Sequence, residues 1–178
     1  MRIAISGAHR TGKSTLVAEL AARLPNYQSV DEPYNLLEEA GHEFAHPPSL
    51  EDFEAQLERS LGELNESEAD VLFNRCPLDV LAYLLCHDDA ESFDLDEWLP
   101  SIREAMEALD LVVFVPIEGQ DRIKFSRSDD VGTSRASVDE ALREMVLDDS
   151  LDLGLTALEV AGTPEERARA VLRTMQAT

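Results

Sequence analysis

Ile3-Ala4-Ile5-Ser6-Gly7-Ala8-His9-Arg10-Thr11-Gly12-Lys13-Ser14-Thr15 is the stretch on which the rest of the chain is read. A short β-branched apolar run ends at a glycine, and Gly7 to Ser14 meets every fixed position of the pattern G-x-x-x-x-G-K-[ST]. Downstream, Leu16, Leu20 and Leu24 recur at helical spacing until Pro25. The order is strand, loop, helix. Glycines let such a loop curl so that successive backbone N–H groups face an anion, and the helix opening near Lys13 adds its partial positive end. Lys13 is placed to bridge the outer phosphates and the Ser14 hydroxyl to meet Mg²⁺. The chain has eight glycines and two lysines, Lys13 and Lys124, so it has few chances to make this pattern by accident. The expected ligand is a nucleoside triphosphate with Mg²⁺, cradled by Gly7, Ala8, His9, Arg10, Thr11, Gly12, Lys13, Ser14 and Thr15.

Outward from this loop, strands alternate with helices. Gln28-Ser29-Val30 is a second strand, stopped by Asp31-Glu32-Pro33 and followed by a polar corner. Ser49 and Asp52 form a capping box before Phe53, Leu57, Leu61 and Leu64, one face of a long helix. Val71-Leu72-Phe73 is a third strand ending at Asn74-Arg75-Cys76, after which Pro77 opens a helix. Residues 94–109 read as a helix that Pro100 splits or restarts, and residues 111–115 as a buried strand. Residues 136–147 are helical, 155–160 form a fifth strand, and Thr163-Pro164-Glu165-Glu166 caps the last helix. Alternation of this kind specifies an α/β fold, a parallel sheet covered by helices on both faces, with every strand's carboxyl end on one edge. Functional residues are expected there.

Length and charge narrow the reading further. The 178 residues suit one domain with a proper core. A formal charge of -22 argues against a nucleic-acid or membrane partner and favours small diffusible substrates. No export signal precedes the first strand and no apolar run approaches a membrane span, so the expected location is the cytoplasm. Cys76 and Cys86 are too few for a disulfide framework and are expected reduced and half-buried within one helix.

Three segments together carry a resemblance: Ile5 to Thr15, then Asp31-Glu32-Pro33-Tyr34, then Asn74-Arg75-Cys76-Pro77-Leu78-Asp79. They resemble the P-loop nucleoside and nucleotide kinases, most closely the small AAA-domain proteins similar to the kinase domain of the NAD-biosynthesis regulator, and more distantly deoxynucleoside kinases. The resemblance implies a three-layer P-loop NTPase fold over residues 1–178, with a five-stranded parallel sheet ordered 2-3-1-4-5. It also implies a helical substrate-binding region at about 34–66 and an arginine-containing lid at about 117–136. Glu32 resembles the glutamate beside the attacking hydroxyl, as general base or as a contact to Mg²⁺ through water, with Asp31 as second candidate and metal ligand. Asn74 stands where the family carries an acid, which removes a charge from the Mg²⁺ site. Arg75 matches the family arginine that reaches the transferring phosphate or the acceptor, the alternative being a salt bridge at the sheet edge. Asp79 corresponds either to an acceptor contact or to an exposed acid in its helix's first turn.

Gln56 resembles a base-reading glutamine, the alternative being a solvent-facing amide, with Tyr34 and Phe44 as stacking surfaces. Arg122, Lys124, Arg127 and Arg135 lie in the proposed lid, to clamp phosphate or to pair with Asp121, Asp129, Asp130 or Asp139. Thr163 and Pro164 match a loop bordering adenine, although helix capping also explains Thr163. The leading expectation is therefore transfer of the terminal phosphoryl group of ATP to a small nucleoside, nucleotide or related metabolite. The alternative is a non-transferring regulatory module or slow ATPase. A polynucleotide kinase would need a basic groove that the composition does not supply. The oligomeric state is left open, a homodimer being one arrangement.

Overall fold

The computed structural model describes residues 1–119 and 134–177. Its centre is a five-stranded parallel sheet ordered β2-β3-β1-β4-β5, the order expected. The strands are β1 (Arg2–Ser6), β2 (Gln28–Val30), β3 (Val71–Asn74), β4 (Leu111–Phe114) and β5 (Ala157–Glu159). Ile3 sits opposite Leu72 on one side and Leu111 on the other, so β1 is hydrogen-bonded along both edges.

A strand buried on both faces needs apolar residues at consecutive positions, and the period of two divides them between two cores. Ala4, Phe73, Val112 and Phe114 face α3 (Leu50–Glu66), α4 (Pro77–Leu85), α5 (Leu95–Met106) and α6 (Arg135–Val146). Ile3, Ile5, Leu72, Leu111 and Val113 face α1 (Lys13–Arg23) and α7 (Pro164–Ala177). Three layers result. Each fully buried leucine or isoleucine here contributes about 1.5–3 kcal/mol. That holds the sheet edge rigid beneath the loops that follow Ser6, Val30, Asn74 and Glu159.

Several local expectations change. The polar corner after Glu32 is a helix, α2 (Pro33–Glu39), because a proline that cannot continue a strand ladder is already suited to the first helical position. α5 runs unbroken through Pro100, which lies exposed on the helix. Cys76 and Cys86 are not inside one helix but cap α4 at either end, both as free thiols. Cys76 is fully buried, and that burial pushes its thiol well above the ordinary range. Of the expected lid, residues 120–133 lie outside the described residues, and with them Arg122, Lys124 and Arg127. Among the described residues no helix is long and apolar enough to cross a membrane.

Candidate active site

The loop between β1 and α1 is tightly held. Gly7 has a φ of 153°, and a Cβ there would stand 2.3 Å from the Val115 carbonyl oxygen, so only glycine lets the loop leave the sheet at this point. Arg10 and Gly12 both adopt positive φ, which curls the segment. Ala8 O accepts from Thr11 Oγ1 at 3.1 Å and from Lys13 Nζ at 2.7 Å. Ser14 and Thr15 are exposed at the mouth of α1.

Lys13 is only 5% exposed, and burial, reinforced by the charge of Arg75, lowers its pKa from 10.5 to about 7. The unfolded chain would therefore hold more protons than the folded one between these values, and the stability cost is full below about 7 and relieved as pH rises toward 10.5. A phosphate beside Nζ reverses the balance. Binding of Mg-ATP at about pH 8 is expected to take up close to one proton at Lys13. Calorimetry in two buffers of different ionisation enthalpy measures this, and zero uptake would contradict it.

The carboxyl ends of β2 and β3 supply the next layer. Arg75 follows β3 with a φ of 87°, a conformation costing about 1–3 kcal/mol in a non-glycine residue. Its side chain offsets that cost through contacts. Nε donates to Glu32 Oε2 at 2.6 Å, Nη1 donates to Gly7 O at 3.3 Å, and the guanidinium lies 5.5 Å from the Tyr83 ring centroid. Burial opposes its charge, but Tyr83, Asp79 and Glu32 outweigh burial and raise its pKa. Glu32 is thus held by Arg75 at the cavity wall.

Asp79 is neither the acceptor contact nor the exposed acid expected. It is fully buried, with Oδ1 accepting from Gly7 N–H at 2.9 Å and Oδ2 from Cys76 N–H at 3.0 Å. A carboxylate one turn into α4 is needed to satisfy these two buried amides, so it braces the loop from behind.

Asn74 Nδ2 donates to Ser14 Oγ and to Asp31 Oδ1, each at 3.3 Å. Asp31 also accepts from Glu32 N–H and from Asn35 Nδ2. Asn74 Oδ1 is buried with no partner among the described residues, and a half-turn of the amide would present that oxygen to the Ser14 hydroxyl and, across a cation, to the Asp31 carboxylate. Ser14 Oγ, Asp31 Oδ1 and the orphaned Asn74 Oδ1 are three hard oxygens that fit a Mg²⁺ taking most of its shell from phosphate and water. Among the described residues no three His, Cys, Asp or Glu side chains form a metal cluster, so phosphate would have to complete the set.

Against this edge opens a cavity of about 670 Å³. His9, Glu32, Arg75 and Arg135 line it beside the loop, and Tyr34, Asn35, Gln56 and Phe53 line it farther out. Gln56 is buried rather than solvent-facing, with Nε2 donating to Asp52 O at 3.2 Å. Tyr34 stacks on Phe44 with centroids 4.2 Å apart. Phe53 packs partly buried against the core and also stacks on Tyr83, with centroids 5.5 Å apart and planes 5° apart. Tyr83 was missed by the sequence reading, and its hydroxyl accepts from His9 N–H at 3.0 Å. The available signal was the spacing of Val80, Tyr83 and His87, all three of which line the cavity. Burial, then the charges of Arg75, Arg10 and Lys13, lowers the His9 pKa.

On the other side of the loop, Arg135 Nε donates to His9 O at 2.8 Å. Thr163 and Glu166 form the expected capping box, and Pro164 opens α7. Arg167, which the sequence reading did not single out, is 9% exposed, and its Nη1 donates to Thr11 O at 2.7 Å.

The fold recurs in solved structures. The chain aligns over 99% of its length with 99% of deoxyadenosine kinase from M. mycoides with bound dATP, at 18% identity and TM-score 0.68. It aligns over 98% of its length with 90% of thymidylate kinase from Candida albicans, at 15% identity and TM-score 0.62. The NadR protein in complex with NAD and AMP-PNP matches 99% of this chain over 49% of its own, at 19% identity and TM-score 0.66. No curated protein matches the sequence. The AAA domain model matches residues 2–167, so the chain belongs to the AAA domain family and carries the fold of P-loop nucleoside and nucleotide kinases.

Proposed function

We propose that this protein transfers the terminal phosphoryl group of ATP to a hydroxyl of a small nucleoside, nucleotide or related metabolite. The observation that carries the reading is the Glu32–Arg75 pair, placed where the phosphate loop meets a cavity of about 670 Å³. A hydrolase needs no such second chamber, and its size suits a small organic acceptor. That the deoxyadenosine kinase was solved with dATP and the NadR protein with AMP-PNP supports a nucleotide in the loop.

In this reading Gly7 to Thr15 hold the triphosphate, and Lys13 contacts the outer phosphates. Bound Mg²⁺, held by Ser14, Asp31 and Asn74, would neutralise phosphate charge. Tyr34, Gln56 and Phe53 orient the acceptor so that its hydroxyl lies beside Glu32. The hydroxyl oxygen forms a bond to the terminal phosphorus, the bond to the bridging oxygen breaks, ADP departs, and Glu32 receives the proton. Arg75 and Arg135, with Arg122 and Arg127 from the lid, stabilise charge on the transferring group. Thr163 and Pro164 border the adenine. The reaction is placed in the cytoplasm, where Cys76 and Cys86 stay reduced.

The test is ADP release from Mg-ATP across a panel of nucleosides, nucleotides and vitamin-like alcohols. One acceptor is expected to raise turnover at least about 100-fold over water and to gain phosphate. Turnover indifferent to every acceptor would instead favour the regulatory module or slow ATPase.

A further inference from the structure

A phosphate loop works only if its peptide planes turn their N–H groups toward the anion, and a trans peptide points its C=O the opposite way. Whatever holds the carbonyls outward therefore sets the cradle. Here three guanidinium groups from three separate segments do so. Arg75 after β3 donates to Gly7 O at 3.3 Å, Arg135 at the start of α6 to His9 O at 2.8 Å, and Arg167 in α7 to Thr11 O at 2.7 Å.

Arg75 and Arg135 also line the cavity, but Arg167 does not. It has another place. Its Nη2 donates to Glu118 Oε1 at 2.7 Å, and the same oxygen accepts from Gly162 N–H at 2.7 Å. Its Nε is buried with no partner among the described residues. An apolar side chain would pack α7 onto α1 without burying a charge and an unmet donor, so packing alone does not account for arginine here. A Cβ on Gly12 would lie 3.1 Å from Nη1, which shows how closely the guanidinium is laid against the loop.

We infer that Arg167 is a positioning residue of the triphosphate site. It locks the Thr11–Gly12 peptide with its carbonyl outward and the Gly12 N–H toward the phosphates, and Glu118 fixes the guanidinium in that pose. The inference rests on the reading of the loop as a nucleotide cradle, and it assigns Arg167 no contact with the ligand.

Calorimetric titration of Mg-ATP and of Mg-tripolyphosphate into wild type, Arg167→Met and Arg167→Lys tests it. Arg167→Met is expected to weaken both ligands by the same factor, about 10- to 100-fold, the range of one hydrogen bond from a charged group. Arg167→Lys should recover part of the loss for both. Weakening of ATP alone would mean that Arg167 serves the base or ribose and would overturn the inference, as would unchanged affinity for both. A wild type that binds neither ligand removes the nucleotide reading itself, and the inference with it. If Arg167→Met does not fold, Glu118→Gln carries the test: it keeps the Thr11 contact, loosens the guanidinium, and should weaken both ligands about 3- to 10-fold. Unchanged affinity there would overturn the inference equally.

Discussion

Lys13→Met is expected to raise the dissociation constant for Mg-ATP by at least about 100-fold, the loss of charge-assisted bonds to two phosphates. The same substitution should leave the melting temperature unchanged or raise it. The reason is the state of Lys13 in the free protein, where it is buried, donates to Ala8 O, and has its pKa lowered to about 7. Its charge is a burden until phosphate arrives. Methionine keeps the stem that packs beneath the loop while removing the ammonium, so binding and stability are expected to move in different directions. Isothermal titration and a thermal melt on the same sample measure the pair. Unchanged affinity would remove the loop from the binding site, whereas a large drop in melting temperature would show that Lys13 holds the fold rather than the ligand.

The fold was legible because its signals are local. Gly7 to Ser14, the β-branched strands and the capping residues Ser49 and Thr163 each report their own structure, and the observed sheet order agrees with the resemblance they carry. The phosphate loop was legible for the same reason: one contiguous stretch contains it. Side chains whose role depends on distant partners were read less well. Asp79 read as an acceptor contact or a surface acid because nothing near it in sequence reveals that Gly7 N–H, 72 residues away, needs an acceptor. Arg167 was passed over because its partner Thr11 is 156 residues distant. Phe53 read as an ordinary core residue and Tyr83 was passed over, since an aromatic on an apolar helix face carries no mark of whether it meets the core or a cavity. Asn74 stood out in the sequence as an amide where the resemblance implies an acid, but its bridging of Ser14 and Asp31 depends on the ends of β2 and β3 meeting the start of α1.

Glu32→Gln is expected to lower kcat by about 10²- to 10⁴-fold, the usual contribution of a positioned general base, with the KM for ATP nearly unchanged. Glutamine is the informative replacement because Glu32 also balances Arg75. The Arg75 side chain is 10% exposed, its backbone is held at a φ of 87°, and Glu32 Oε2 at 2.6 Å is a nearer anion than Asp79 Oδ1 at 3.5 Å. Alanine would leave that guanidinium short of its nearest partner, a disturbance of about 1–3 kcal/mol that would confuse lost chemistry with lost structure. Glutamine offers an amide oxygen to the same Nε and keeps the shape of the cavity wall, but it cannot receive a proton. A folded Glu32→Gln protein that binds Mg-ATP normally and fails to phosphorylate the acceptor would therefore locate the defect in the transfer step. Asp31→Asn is the companion measurement, because Asp31 accepts from the Glu32 backbone, Asn35 and Asn74 beside the candidate Mg²⁺ position. Its loss should appear as a raised Mg²⁺ requirement. Full activity in Glu32→Gln with collapse in Asp31→Asn would transfer the role of base to Asp31 and leave Glu32 as the partner that steadies Arg75.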